Sequence, residues 1–365
     1  MGINTILDET IALLKALVGI PSLSGQEELV SNYLQTYLQS YFPSQVQRLG
    51  NNLIVDCPGI SDGNTLLLCS HIDTVAPAQG WVRDPFGAEV EGDKIYGLGS
   101  SDAGASVVSL IAALRLLGTL RYGRIILCLA AEEEAGNQGF TKIEPELPRY
   151  DAAIFGEPTN LGVATSMRGN MQVVMRSRGV SCHSSRPWQG RNACDQFVKD
   201  LQTIRSLDLK DQSSWGGATI EPTIVSGGKS VNQIPDLVET TLDIRTTPDK
   251  NNSWVEAELK KNGMDFTIVF NRRHPMHSDS DSPLLKAIQR ACPGISSYVF
   301  NGTCDMAYTK APSVVLGPGS SERSHAADEF ITISEIKEAI DTYSAILKEY
   351  TAVHKVDAVV ESTTH

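Results

Sequence analysis

Leu67-Leu68-Cys69-Ser70-His71-Ile72-Asp73-Thr74-Val75 is an apolar run that stops abruptly at a histidine and an aspartate two residues apart. An extended backbone turns side chains i and i+2 to the same side, so this imidazole and this carboxylate can meet one object. The residues leading up to them, Thr65 to Ser70, are nearly all apolar, which suits a central strand buried on both faces. A polar pair at the end of such a strand acquires meaning only from partners elsewhere in the chain.

Upstream, residues 4 to 18 carry apolar side chains at helical spacing, and Pro21 closes the segment. Ser24-Gly25-Gln26-Glu27 reads as a capping box for a second helix, Glu28 to Phe42, with Leu29, Val30, Tyr33, Leu34, Tyr37 and Leu38 facing inward. Asn52 to Asp56 reads as a short strand. Downstream come the loop Gly97-Leu98-Gly99-Ser100-Ser101-Asp102-Ala103-Gly104, a small-residue helix Ala105 to Leu117, and a strand Arg124 to Ala131 ending in Glu132-Glu133-Glu134-Ala135-Gly136. A further strand, Asp151 to Gly156, ends in Glu157-Pro158-Thr159. Helices alternating with apolar strands predict an α/β fold with a mainly parallel central sheet.

Near residue 165 the pattern changes. Strand Met171 to Arg178, helix Arg191 to Ser206, strands Ala218 to Ser226 and Leu237 to Thr246, helix Ser253 to Asn262 and strand Asp265 to Phe270 follow the β-α-β-β-α-β order of a ferredoxin-like α+β unit. The α/β character resumes with helix Pro283 to Cys292, extended Ser313 to Leu316, a loop through His325 and helix Ser334 to Tyr350. The expected organisation is a discontinuous catalytic domain, 1–165 and 275–350, an inserted domain, 166–274, and a flexible tail, 351–365. No internal repeat is visible.

The chain has 365 residues, 43 acidic against 31 basic, and a formal charge of −12, which argues against nucleic acid or an anionic membrane as partner. No apolar run approaches the roughly 20 residues of a membrane span, and Asp8 and Glu9 in the first helix do not suit a secretory signal. A cytoplasmic location is expected. Seven cysteines, at 57, 69, 128, 182, 194, 292 and 304, form no C-x-x-C, so they read as buried reduced thiols.

The polar residues placed directly after buried strands are His71, Asp73, Asp102, Glu133, Glu134, Glu157 and His325. In an open α/β sheet the carboxyl ends of the strands line one crevice, so residues far apart in sequence converge there. Several carboxylates in one crevice repel, and a metal is the simplest remedy. Two imidazoles with three carboxylates and no thiolate suit a pair of Zn2+ ions, with Co2+ or Mn2+ as substitutes. Asp102 is the natural bridge between them.

His71-Ile72-Asp73, Gly97-x-Gly99-x-x-Asp102, Glu133-Glu134-x-Gly136, Gly156-Glu157-Pro158-Thr159 and the late His325 resemble, in order and spacing, the M20 metallopeptidase family of co-catalytic zinc hydrolases. Each piece alone is common, and the combination is specific. Gly97-Leu98-Gly99-Ser100-x-Asp102-Ala103-Gly104-Ala105-Ser106 and Arg323-Ser324-His325-x-Ala327-Asp328-Glu329 are similar to acetylornithine deacetylase-like members. The resemblance implies that His71, Asp102 and Glu157 hold one zinc and that Asp102, Glu134 and His325 hold the other. It implies Asp73 as the carboxylate orienting the His71 ring and Glu133 as general base. The Glu132-Glu133-Glu134 ambiguity is resolved by counting back from Gly136.

In the inserted domain, His183 matches a histidine that stabilises the oxyanion in the partner subunit's active site, which implies a homodimer. The domain would then serve dimerisation and act as a lid. Arg168, Asn232, Arg245 and Gly302 match substrate-binding positions, although a structural salt bridge is an equal reading for Arg245. His274 and His277 read as solvated. Two departures concern specificity: Ala103-Gly104 replaces a sequence that often carries Lys two residues after the bridging Asp, and Cys304 interrupts a usual Gly-Thr-Asp at Gly302-Thr303-Cys304-Asp305.

The implied activity is removal of an N-acyl group from an ornithine-like amino acid, as in arginine biosynthesis. The alternatives are a dipeptidase, an N-acyl-lysine or N-acyl-citrulline hydrolase with the same metal site, and a non-catalytic metal-binding scaffold.

Overall fold

Burial explains the apolar run before His71. In the computed structural model, every residue from Leu66 to His71 is buried, with a parallel strand on either side. The structure describes residues 3–136, 138–211 and 215–352. The chain falls into two units, one made of Met1–Thr165, Ser278–Tyr298 and Cys304–His365, the other of Ser166–His277 and Val299–Thr303.

The first stretch of unit one contains α1 (Ile3–Val18), α2 (Glu28–Tyr41), β1 (Val46–Leu49), β2 (Asn52–Pro58), β3 (Ser61–His71), β4 (Glu89–Glu91), β5 (Lys94–Tyr96), α3 (Ala105–Leu117), β6 (Tyr122–Ala130), α4 (Gln138–Ile143), β7 (Ala152–Phe155) and β8 (Val163–Met167). The inserted stretch contains β9 (Gly169–Arg178), α5 (Ala193–Arg205), β10 (Thr219–Gly227), β11 (Leu237–Thr246), α6 (Asn252–Lys261), β12 (Phe266–Arg273) and β13 (Met276–His277). The chain then continues through α7 (Pro283–Ala291), β14 (Ser297–Phe300), β15 (Ser313–Val315), β16 (Phe330–Thr332) and α8 (Ile333–Thr351).

In the central sheet β6, β3, β7 and β15 run parallel, while β2 and β1 extend one side antiparallel and β8 joins β15 antiparallel. α3 has ten buried residues and packs on α1 and α8, because its Ala, Ser, Val, Leu and Ile side chains leave it no polar face. Ser100–Leu117 is the one segment among the described residues long and apolar enough to cross a membrane, and 72% of it is buried inside the protein. It is a core helix. A small antiparallel sheet, β16-β5-β4, is a feature the sequence pattern did not reveal.

In unit two the sheet order is β10-β11-β9-β12, antiparallel throughout, with a core of Met171, Val173, Met175, Ile204, Ile220, Leu242, Ile244, Val255 and Leu259. That order is the ferredoxin-like one. Asn192 and Asn251 cap α5 and α6 through side-chain oxygens accepting from Cys194 N and Trp254 N.

Two expectations near the N-terminus need correction. No side-chain cap closes α2: the Ser24 hydroxyl donates to Asp73 Oδ2 at 2.6 Å instead. Leu29 and Tyr33 are 66% and 39% exposed, because the inward stripe is Val30, Leu34 and Leu38 at i, i+4 and i+8, which leaves their neighbours on the flank. Cys57, Cys69, Cys128 and Cys304 are buried as expected of thiols in apolar runs, but Cys182 and Cys292 are only half-buried and Cys194, in the first turn of α5, is exposed. The expectation for the tail from residue 353 onward lies outside the described residues.

Candidate metal centre

All five expected ligands belong to unit one, and the topology brings them to one edge. His71 ends β3, Glu133 and Glu134 follow β6, and Glu157 follows β7. These three strands are parallel, so their carboxyl ends lie side by side. Asp102 sits in the turn before α3, and His325 lies in the loop between β15 and β16.

Asp102 faces both imidazoles. Its Oδ1 is 3.2 Å from His71 Nε2 and its Oδ2 is 3.6 Å from His325 Nε2. Glu157 Oε2 lies 3.8 Å from His71 Nε2, and Glu134 Oε1 lies 2.8 Å from His325 Nε2. His71, Asp102 and Glu134 each offer a ligand atom within 4.8 Å of the others. Two nitrogen donors, several carboxylates and no thiolate are a donor set that suits a first-row divalent ion.

The electrostatics are those of crowded carboxylates around two imidazoles. Burial opposes charge on His71, but hydrogen bonds with Asp102 and Asp73 and the charge of Glu157 outweigh it, so the ring is held well above the usual histidine range. Burial also opposes charge on Asp102, yet contact with His71 keeps this carboxyl below its usual value. Glu157 goes the other way: burial and the negative charges of Asp102, Glu133 and Glu134 push it well up, against the pull of His71. Both upward shifts come from crowded negative charge acting with or against burial, and a divalent cation is the kind of group that would offset that charge.

Asp73 does more than face a ring. Its backbone carbonyl is 2.9 Å from His71 Nδ1, while its Oδ1 is 3.6 Å from that nitrogen. The carboxylate instead accepts from Glu133 N and Glu134 N, at 3.0 Å each, and from the Ser24 hydroxyl. Glu27, fully buried, accepts from Glu132 N at 3.1 Å and from Gly25 N at 2.6 Å. Two buried carboxylates therefore hold three successive amides of the turn that presents Glu133 and Glu134. Glu132 turns its own carboxylate to Lys142 Nζ at 3.1 Å, away from the centre, and Glu133 is buried.

Glu329 was missed by the sequence reading. It is 2% exposed and accepts from Gly99 N, Ser101 N and Asp102 N at 3.2, 2.8 and 3.0 Å, and burial pushes its pKa up to about 7. Its position four residues after His325, in a stretch already singled out, was the only signal. Such a residue acts on backbone amides, which leave no side-chain pattern.

Unit two holds the remaining candidates. His183 is exposed, with Nδ1 2.8 Å from Ser185 Oγ, and its loop adjoins that of Asn232 through Ser184 N donating to Asn232 O at 2.9 Å. Arg168 spends its fork on two backbone carbonyls, Gly217 O at 2.7 Å and Trp215 O at 2.5 Å. Arg245 pairs with Asp243 on the same strand at 2.8 Å. A Cβ at Gly302 would lie 2.8 Å from the Phe300 ring. His277 is exposed, with Nδ1 2.7 Å from Ser166 Oγ.

The model of peptidase family M20/M25/M40 matches residues 67–349. This chain belongs to the M20 family of metallopeptidases. An acetylornithine deacetylase of Photorhabdus laumondii is 31% identical over 372 residues, covering 91% of this chain and 95% of the relative. A protein of Staphylococcus epidermidis named as a succinyl-diaminopimelate desuccinylase is 26% identical over 405 residues, covering 95% and 99%. Among solved structures, the YXEP protein of Bacillus subtilis, described as a dinuclear metal binding peptidase, superposes with a TM-score of 0.71 at 18% identity, covering 94% of this chain and 98% of that one. The M20 chain described here is a metal-dependent hydrolase with a mixed α/β fold.

Proposed function

We propose that this M20 protein is a dinuclear zinc hydrolase that removes an N-acyl group from an ornithine-like amino acid. The observation that carries the reading is the position of Asp102, with one carboxylate oxygen toward each of two imidazoles. His71, Asp102 and Glu157 would hold one ion, and Asp102, Glu134 and His325 the other. When bound, the ions polarise the amide carbonyl and acidify the attacking water.

The chain's own residues supply the rest. Glu133 takes a proton from the water as the oxygen adds to the carbonyl carbon, then delivers it to the amine nitrogen as the C–N bond breaks. Asp73 keeps Glu133 in place through the backbone and keeps the His71 ring oriented through its own carbonyl. His183, from a partner copy in a homodimer built on the inserted unit, donates to the oxyanion, and that unit serves as a lid. Asn232 and Gly302 contact substrate. Arg245 reads the α-carboxylate only if it leaves Asp243, and Arg168 only if it gives up its carbonyl partners. A cytoplasmic setting and a place in arginine biosynthesis belong to the same reading.

The 31% identical deacetylase supports the acyl-ornithine substrate. The desuccinylase relative favours a second reading, an N-succinyl substrate on the same metal site. One deacylation assay across N-acetylornithine, N-succinylornithine, N-acetylcitrulline, N-acetyllysine and simple dipeptides separates them. N-acetylornithine should be turned over with the highest kcat/KM. Preference for a dipeptide or a succinyl compound would overturn the substrate assignment and leave the metal chemistry intact.

A further inference from the structure

We propose that Glu329 is a positioning residue for the metal centre: it ties the His325 loop to the Asp102 turn, so that both ligands face the same ion. The inference rests on the metal-site reading above. A bridging carboxylate has little slack, since each of its oxygens must reach a different ion, and a misplacement of about 0.5 Å is enough to degrade such a site. Asp102 lies in an irregular turn, with φ −115° and ψ 94°, directly after Gly99 in left-handed conformation at φ +74°. The turn's own backbone bonds, Gly104 N to Gly99 O at 2.9 Å and Ala105 N to Ser100 O, engage its C-terminal amides and leave those of Gly99, Ser101 and Asp102 to an acceptor from elsewhere in the chain.

Glu329 supplies what is missing. Its Oε1 accepts from Ser101 N and Asp102 N, and its Oε2 accepts from Gly99 N, while its backbone carbonyl accepts from Gly97 N at 2.9 Å. Left without this acceptor, the buried amides of Gly99 and Ser101 and the partly buried amide of Asp102 would lose their partner at once, each loss carrying a desolvation cost. The residue is carried on a rigid support. β16 begins immediately after it and pairs with β5 in the register Phe330↔Tyr96, Ile331↔Ile95 and Thr332↔Lys94. β5 leads into the Asp102 turn and β16 leads out of the His325 loop. The small sheet thus docks the two ligand-bearing segments, and the Glu329 carboxylate sets their final fit.

A residue that merely staples the fold and a residue that positions the metal give different results in one experiment. Metal-stripped wild-type, Glu329→Gln and Ser282→Ala proteins are titrated with Co2+. Visible absorption, chelator competition, thermal melting and, for the loaded enzymes, kcat and KM are recorded. Gln presents an N–H2 to at least one of the three amides, so Glu329→Gln should weaken binding of one Co2+ by about 10–100-fold. Its Co2+ absorption bands should shift, and kcat should fall at least about tenfold with KM changed less than about threefold. Ser282→Ala removes the cap of α7, away from the small sheet and the ligands, and should lower the melting temperature without changing the Co2+ spectrum or affinity. A Glu329→Gln protein with wild-type Co2+ affinity, spectrum and kcat overturns the inference alone. Wild-type protein that takes up no Co2+ overturns the metal-site reading and this inference with it. If Glu329→Gln does not fold, Glu329→Asp, which keeps the charge and shortens the reach by one methylene, carries the same comparison.

Discussion

His325 and Glu134 are 2.8 Å apart, and that carboxylate pushes the histidine from 6.5 up to about 9 in the metal-free chain. A folded-state pKa raised in this way means that the pairing stabilises the metal-free fold fully below pH about 6.5 and is lost as pH rises through about 9. An ion needs the neutral ring, so loading this position releases a proton, and apparent affinity should fall as pH drops below about 9. Chelator-competition titrations at several pH values between 6.5 and 9 should show this slope, whereas a flat profile would mean that His325 is not a ligand. Asp73 and His71 make a second contrast at this scale. His71→Ala should empty one of two metal positions, while Asp73→Asn should keep metal near two per chain and lower kcat about 10–100-fold, because one acceptor for the Glu133 and Glu134 amides becomes a donor. Elemental analysis beside a turnover assay decides it, and equal metal loss in both variants would make Asp73 a ligand.

Among the elements, those with strong patterns were legible and those set by loops were not. α3 and β11 have the bounds that apolar periodicity predicted, since burial on known faces leaves a direct trace in sequence. The Ser24 to Glu27 box failed because both side chains have partners in another segment: Ser24 donates to Asp73 and Glu27 accepts from Glu132 N. A local motif cannot register a competitor distant in sequence. The convergence of His71, Asp102, Glu134 and His325 was legible from their places after strands and in loops, but the hold of Glu27 and Glu329 on backbone amides was not. The turn before α3 yields a prediction of its own. Gly99 has φ +74°, and a Cβ there would lie 2.6 Å from Thr74 Cγ2, so Gly99→Ala should destabilise the protein by about 1–3 kcal/mol. A denaturation midpoint equal to that of the wild type would contradict the strain argument.

At the scale of the whole chain, the α/β sheet with an inserted ferredoxin-like segment followed from element order, because parallel strands need crossovers and an antiparallel unit announces itself by paired strands. The sheet then determines where chemistry occurs: β3, β6 and β7 end together, and polar residues placed just beyond them meet. Substrate identity does not follow from this topology, since relatives at 31% and 26% identity carry names with different substrates. The central claim is hydrolysis at a paired metal site with Glu133 as the proton carrier. Its most direct test is kcat on N-acetylornithine for Glu133→Gln beside the wild type, with metal content measured in the same samples. The expected result is two ions per chain in both proteins and a loss of about 10²–10⁴-fold in kcat for the variant. Near-wild-type turnover by Glu133→Gln with both ions bound would contradict the account.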